Sequence, residues 1–174
     1  MLRKIEDKFT KWSPSIFIGY NSINFDEEFL RNSLFRALLD PYLTSRNNNN
    51  RADLLELLRT VDFFFPDTIN IPVNNKNKKT FKLDQIAPAN SITHFAHDAL
   101  GDVIATKQLA KLISQRKPTF WHSFLEGSNK SLVYKVLSEE KIVFFCQTFY
   151  GKTTAISGSF LLNHPIYKFP VLFD

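Results

Sequence analysis

The sequence predicts an α/β unit followed by a β-rich unit, and three observations carry that prediction. Ser15–Gly19 is a short apolar run of strand length with no alternation, the pattern of a strand buried on both faces of a parallel sheet. Segments of helical periodicity then dominate as far as Pro118. Beyond two further helical patches, the periodicity turns to that of strands, with Gly151 between two β segments. We therefore expect an α/β domain over residues 1–116 and a β-rich domain over 117–174, the abrupt start and stop being those of a piece of something larger.

The elements follow in order. Leu2, Ile5, Phe9 and Trp12 recur at helical spacing among charges, so residues 1–12 are expected as an amphipathic helix ended by Ser13-Pro14. After the Ser15–Gly19 strand, Asn24 is the expected cap of a second helix with Glu27 as its capping-box partner. That helix should turn Phe25, Phe29, Leu34 and Leu38 inward and stop before Pro41. Asn47–Asn50 reads as a solvated loop, Ala52–Phe65 as a helix closed by Pro66, and residues 67–80 as an exposed basic excursion. Leu83–Ala89 is a short helix. Asp98 is placed to cap a longer one, Ala99–Ser114, with Leu100, Val103, Ile104, Ala110 and Ile113 as its buried stripe. Helical patches at about 119–126 and 129–138 precede strands at Lys141–Tyr150, Lys152–Leu162 and the apolar run Phe169–Asp174.

Composition bounds the chemistry. With 174 residues, 44% of them hydrophobic, the chain can bury a core. Its net charge of +5 allows a polyanionic partner without demanding one. The 18 Phe, in a chain also rich in Asn, Lys and Ile, fit an AT-rich coding bias better than 18 binding residues. Cys146 is the single cysteine, which excludes an internal disulfide or a Cys-based zinc site, and its apolar neighbours favour an inert thiol. No run approaches the roughly 18 apolar residues of a membrane span, and Met1–Lys11 lacks the apolar centre of a signal peptide. A cytoplasmic, membrane-free protein is expected.

Two acids stand out by position. Asp26 follows the first strand and falls in the first turn of a helix, and Asp102 lies in the first turn of another. Each is explained equally by complementing a helix dipole, worth about 0.3–1 kcal/mol. His97 precedes Asp102 by five residues, and the two converge only if the histidine sits on the loop before the helix, where the Asp98 cap puts it. A neutral imidazole there could serve as a general base beside an acid-bound metal. His94 is given no role.

The wording of the sequence adds what spacing leaves open. Gly19-Tyr20-Asn21-Ser22-Ile23-Asn24-Phe25-Asp26 resembles the second motif of the DEDDh 3′→5′ exonuclease superfamily, and His97-Asp98-Ala99-Leu100-Gly101-Asp102 resembles the third. Within that superfamily the chain is most similar to the bacterial exodeoxyribonuclease I family. The similarity runs in order through Asp40-Pro41-Tyr42, Arg51-Ala52-Asp53-Leu54-Leu55, Ile69-Asn70, Phe81-Lys82-Leu83 and Ala89-Asn90. It continues through Ala105-Thr106, Ala110-Lys111-Leu112, Asn129-Lys130 and His164-Pro165.

This resemblance implies an N-terminally truncated ribonuclease-H-like exonuclease domain followed by the start of an SH3-like β domain. It implies removal of nucleotides from the 3′ end of single-stranded DNA with two Mg2+ ions, in DNA repair and recombination. Asp26 and Asp102 would be catalytic acids and metal ligands, and His97 the general base. Arg31, Tyr42, Arg59, Lys82 and Lys130 match positions that face DNA, as cations for phosphates and an aromatic for stacking. A monomer is expected, with single-stranded DNA and single-stranded-DNA-binding protein as partners. The family's first motif, an Asp-x-Glu on a strand, has no counterpart here, so the chain alone is expected to be inactive or nearly so. Two other readings stand beside this one: a non-catalytic single-strand-binding module or assembly subunit, and a DEDDh ribonuclease. The β-rich segment after Pro118 counts against the ribonuclease.

Overall fold

The computed structural model describes residues 1–94 and 98–173. Its first unit opens with α1 (Leu2–Trp12), whose Phe9 ring stacks at 4.7 Å on Phe17 of β1 (Ile16–Gly19). Then come α2 (Asp26–Arg36), β2 (Asn50–Asp53) and α3 (Leu54–Phe64). β1 and β2 pair in parallel, with Gly19 opposite Asp53, so both strands end at the same edge. α4 (Leu83–Ala89) and α5 (Ala99–Arg116) complete this unit. α6 (Pro118–Gly127) and α7 (Lys130–Glu139) lead to β3 (Val143–Phe149), β4 (Lys152–Asn163) and β5 (Pro170–Phe173). These three strands form an antiparallel sheet with β4 in the centre and an irregularity between Phe160 and Leu162.

The core lies where α3, α4 and α5 meet: Leu54, Leu58, Val61, Ile86, Leu109 and Ile113 are sealed from solvent there. Phe120, Trp121 and Phe124 of α6 pack against the same cluster, with Pro118 at the start of that helix, where its missing N–H costs nothing.

Several local expectations hold. α4 has the expected bounds, and Asp98 caps α5 by accepting the Leu100 and Gly101 amides at 3.3 and 3.1 Å. Others fail for identifiable reasons. Asn24 caps nothing; α2 begins after Phe25 with no side-chain cap, and Glu27 turns inward to accept from Arg51 and Thr44, each at 3.0 Å. Of the four residues expected inward on α2, only Leu34 is buried, while Phe25, Phe29 and Leu38 are exposed. α5 runs two residues further than expected; Ile113 of the expected stripe is buried, but together with Gly101, Ala105 and Leu109, while Leu100, Val103 and Ile104 are exposed.

Residues 47–50 are not simply a solvated loop. Asn49 is buried, accepts the Ser15 amide and donates to Ser13 Oγ and to the Leu43 carbonyl at 2.9, 2.7 and 2.7 Å, and Asn50 already belongs to β2. Asn47 and Asn48 hold positive φ, which asparagine tolerates. The helix expected from Ala52 starts at Leu54, because Asp53 is its cap. Leu58 touches the core from all sides, and we expect Leu58→Ala to lower the unfolding free energy by about 2–5 kcal/mol in urea denaturation.

Candidate active-site groove

Asp53 organises one side of the site. Sitting at the end of β2, its Oδ1 accepts the Asn21 amide at 2.8 Å and the Leu55 amide at 3.0 Å, and Oδ2 accepts the Ile23 amide at 3.3 Å. One buried carboxylate thus caps α3 and holds the loop that leads from β1 to Asp26. The loop doubles back tightly. A Cβ at Gly19 would overlap the Ser22 side chain, so glycine is required where β1 ends. Asp26 itself is exposed on the first turn of α2. The only Asp-x-Glu of the sequence, Asp26-Glu27-Glu28, therefore opens a helix and has no strand context.

The other side is built by α5. Asp102 follows the Asp98 cap, with its side chain 51% exposed, and its Oδ1 lies 2.6 Å from Nε2 of His94, whose side chain is 3% exposed. A carboxylate can only accept, so this contact selects the tautomer that carries its proton on Nε2. His94, passed over in the sequence, thereby orients Asp102. Nothing in the residue pattern signals it, because the two partners are eight residues apart. His97 lies outside the described residues.

Asp102 and His94 border a groove of about 1110 Å3 whose walls are α3, the 78–84 segment and the tip of the β3–β4 hairpin. Arg59 and Lys82 line it as well. Arg59 pairs with Glu56 and lies 5.9 Å from the centre of the Phe81 ring. Lys78, Lys79 and Lys152 add further charge, giving five cations against the carboxylates of Asp62, Asp84 and Asp102. One of those cations, Lys79, is held by Asp62 at 2.8 Å. Tyr150 and Lys152 of the hairpin also line the groove and were not singled out in the sequence.

The remaining candidates lie elsewhere. Asp26, Arg31, Tyr42 and Lys130 are not among the groove's lining residues. Arg31 and Arg46 flank Tyr42, 5.8 and 4.9 Å from its ring centre, and Arg31 pairs with Glu28 at 2.9 Å. Lys130 sits 5.7 Å from the ring centre of Tyr134. Among the described residues, no three metal-ligating side chains converge. Magnesium needs several oxygens in near-octahedral array, so the described residues do not by themselves make its site. Also among the described residues, no helix is long and apolar enough to cross a membrane.

Tyr20 forms the groove floor, its hydroxyl donating to the Phe81 carbonyl. Burial pushes its phenol above the ordinary tyrosine value; the Arg59 guanidinium opposes this, while Asp53 and Asp84 reinforce it. The folded chain then keeps this proton at a pH where the unfolded chain loses it. Stability is full below about pH 10 and falls as the pH rises beyond it. We expect Tyr20→Phe to flatten that alkaline decline, read as the slope of urea-unfolding free energy against pH. Asp53→Ala should cost about 1–3 kcal/mol in the same assay at neutral pH, because it strands amides that the carboxylate satisfies.

Comparison with known proteins gives this arrangement a context. No family model matches the chain. Exodeoxyribonuclease I of Buchnera aphidicola subsp. Schizaphis graminum is 39% identical over 153 residues, which are 86% of this chain and 32% of that protein. A crystal structure of Escherichia coli exonuclease I in complex with a dA16 oligonucleotide superposes with a TM-score of 0.80 at 30% identity, over 96% of this chain and 37% of that one. An ExoI/SSB-Ct complex matches with a TM-score of 0.79 at 28% identity, over 96% and 37% of the respective chains. The α/β unit is thus ribonuclease-H-like and the three-stranded unit SH3-like. The chain spans about a third of the length of the relatives it matches, and over that third it is a homologue of the bacterial exodeoxyribonuclease I proteins.

Proposed function

We propose that this chain forms part of a 3′→5′ exodeoxyribonuclease that hydrolyses single-stranded DNA. One observation supports this above the others: Asp102, oriented by His94, shares a cationic groove with Arg59 and Lys82, in a chain whose fold matches exonuclease I throughout. In this reading Asp26 and Asp102 ligate Mg2+, and His97 withdraws the proton from the attacking water. Two such ions, when bound, would supply charge for the attacking and leaving oxygens. The chain's own contribution is then to aim one carboxylate with His94 and to hold the strand's phosphates with Arg59 and Lys82. Arg31, Tyr42 and Lys130 are proposed as further DNA contacts outside the groove. We propose residues 1–116 and 117–174 as the two domains. Single-stranded DNA and single-stranded-DNA-binding protein are the proposed partners, of a cytoplasmic monomer engaged in repair and recombination.

A second reading has its own support. Because no three metal-ligating side chains converge among the described residues, the same groove suits a module that binds single strands without cutting them.

The two readings separate in one assay. The chain is offered 3′- and 5′-labelled single-stranded DNA with magnesium, both alone and as a chimera that replaces the matched third of the E. coli enzyme. We expect the chimera to shorten the DNA from its 3′ end and Asp102→Ala to reduce that rate by about a hundredfold or more, a loss of several kcal/mol at about 1.4 kcal/mol per decade. Binding should survive the substitution. Normal turnover by Asp102→Ala would defeat the assignment, and a chimera that binds but never cuts would favour the binding module.

A further inference from the structure

We propose that the tip of the β3–β4 hairpin is a base-stacking clamp for single-stranded DNA, with Tyr150 offering its ring to a base and Lys152 holding an adjoining phosphate. The proposal rests on the reading of the groove as a single-strand site. Phe149 pairs with Lys152, so the strands are joined by the two-residue turn Tyr150-Gly151, and both residues have positive φ, 48° and 75°. Such turns favour Asn-Gly, and a bulky aromatic in the left-handed region carries a conformational cost. Tyr150 recovers nothing for it by burial, since it is 98% exposed. Among the described residues its one aromatic contact is edge-on to Phe149, whose ring centre is 4.8 Å away and which is itself largely exposed.

A residue that opposes its local backbone and buries no surface has a role outside folding. Its location says which. The tip lines the same groove as Arg59, Lys78 and Lys82, on the wall facing the 78–84 segment. Single strands are gripped by cations that follow the backbone and by aromatic faces on which unpaired bases stack. A duplex keeps its bases stacked inside and has no free face for Tyr150. The hairpin therefore adds selectivity for single strands as well as grip.

The test measures binding in EDTA, where cutting cannot contribute, using the full chain and fluorescein-labelled oligo-dT by anisotropy. We expect Tyr150→Ala to bind about tenfold more weakly and Tyr150→Phe to stay within about twofold of the parent. Tyr150→Asn, whose side chain suits the turn, should keep or raise thermal stability while losing the same affinity, which separates stacking from folding. Lys152→Ala should reduce the salt slope of binding by about one. Two outcomes would overturn the clamp alone: unchanged affinity of Tyr150→Ala while Arg59→Ala and Lys82→Ala bind weakly, or equal weakening of Tyr150→Ala on duplex DNA. Absence of any salt-dependent binding by the parent would overturn the single-strand reading together with it.

Discussion

The carboxylate of Asp53 is the constraint on which the α/β half depends. Two parallel strands of four residues each make a sheet too small to hold its own connections in place. Asp53 compensates by accepting the Asn21, Ile23 and Leu55 amides at once, so the end of β2, the start of α3 and the loop after β1 are tied together. Hydrogen bonds to a charged acceptor are the stronger kind, and their distribution across three backbone segments makes this one carboxylate worth more than a helix cap. Glu27, ion-paired to Arg51 of the adjoining strand, fastens the following helix to the same edge. In open α/β sheets ligands gather at the carboxyl ends of the strands, and this is the edge that Asp53 braces.

A second constraint is the seating of α5. Its buried face is lined by Gly101, Ala105, Leu109 and Ile113, and the two small residues come first. Close approach at that end sets where the first turn lies, and with it Asp102. The Asp98 cap fixes the start of the helix, and the His94 imidazole meets the Asp102 carboxylate. The acid is thus held through its backbone by the helix and through its side chain by an enclosed imidazole, while half of it still faces the groove.

The groove joins the two folds. One wall comes from α3 and the 78–84 segment, the other from a hairpin of the antiparallel sheet, and β3 and β4 both pack against α3. Arg59 therefore works at a junction: its guanidinium lies over Phe81, pairs with Glu56, and looks onto a cavity whose far side belongs to the antiparallel sheet. In the proposed reading this seam meets a DNA strand's backbone from one side and its bases from the other.

The sequence by itself determined the order and kind of the elements apart from β2, whose residues read as a loop and a helix start, because capping, proline breaks and hydrophobic period act over a few residues while strand pairing does not. α4 and the cap of α5 were legible to the residue, and the change to strands around Gly151 was legible with bounds shifted by one or two residues. Motif wording singled out Asp102, Arg59 and Lys82, which line the groove, and Asp26, which does not. What tertiary structure decided is which face each helix hides and which side chains meet. On α5 Ile113 went inside as expected but Leu100, Val103 and Ile104 did not, and on α2 three of four apolar residues stayed outside, since burial depends on neighbours that periodicity does not name. Asn49 looked like solvated low-complexity sequence and became a buried cross-link. His94 and Tyr150 gave no local signal, because one is defined by a contact eight residues away and the other by a wall contributed from a distant strand pair. Local physics writes the elements. Only packing brings Asp102, Arg59, Lys82 and the hairpin tip to one groove, while leaving Asp26, Arg31, Tyr42 and Lys130 off its walls.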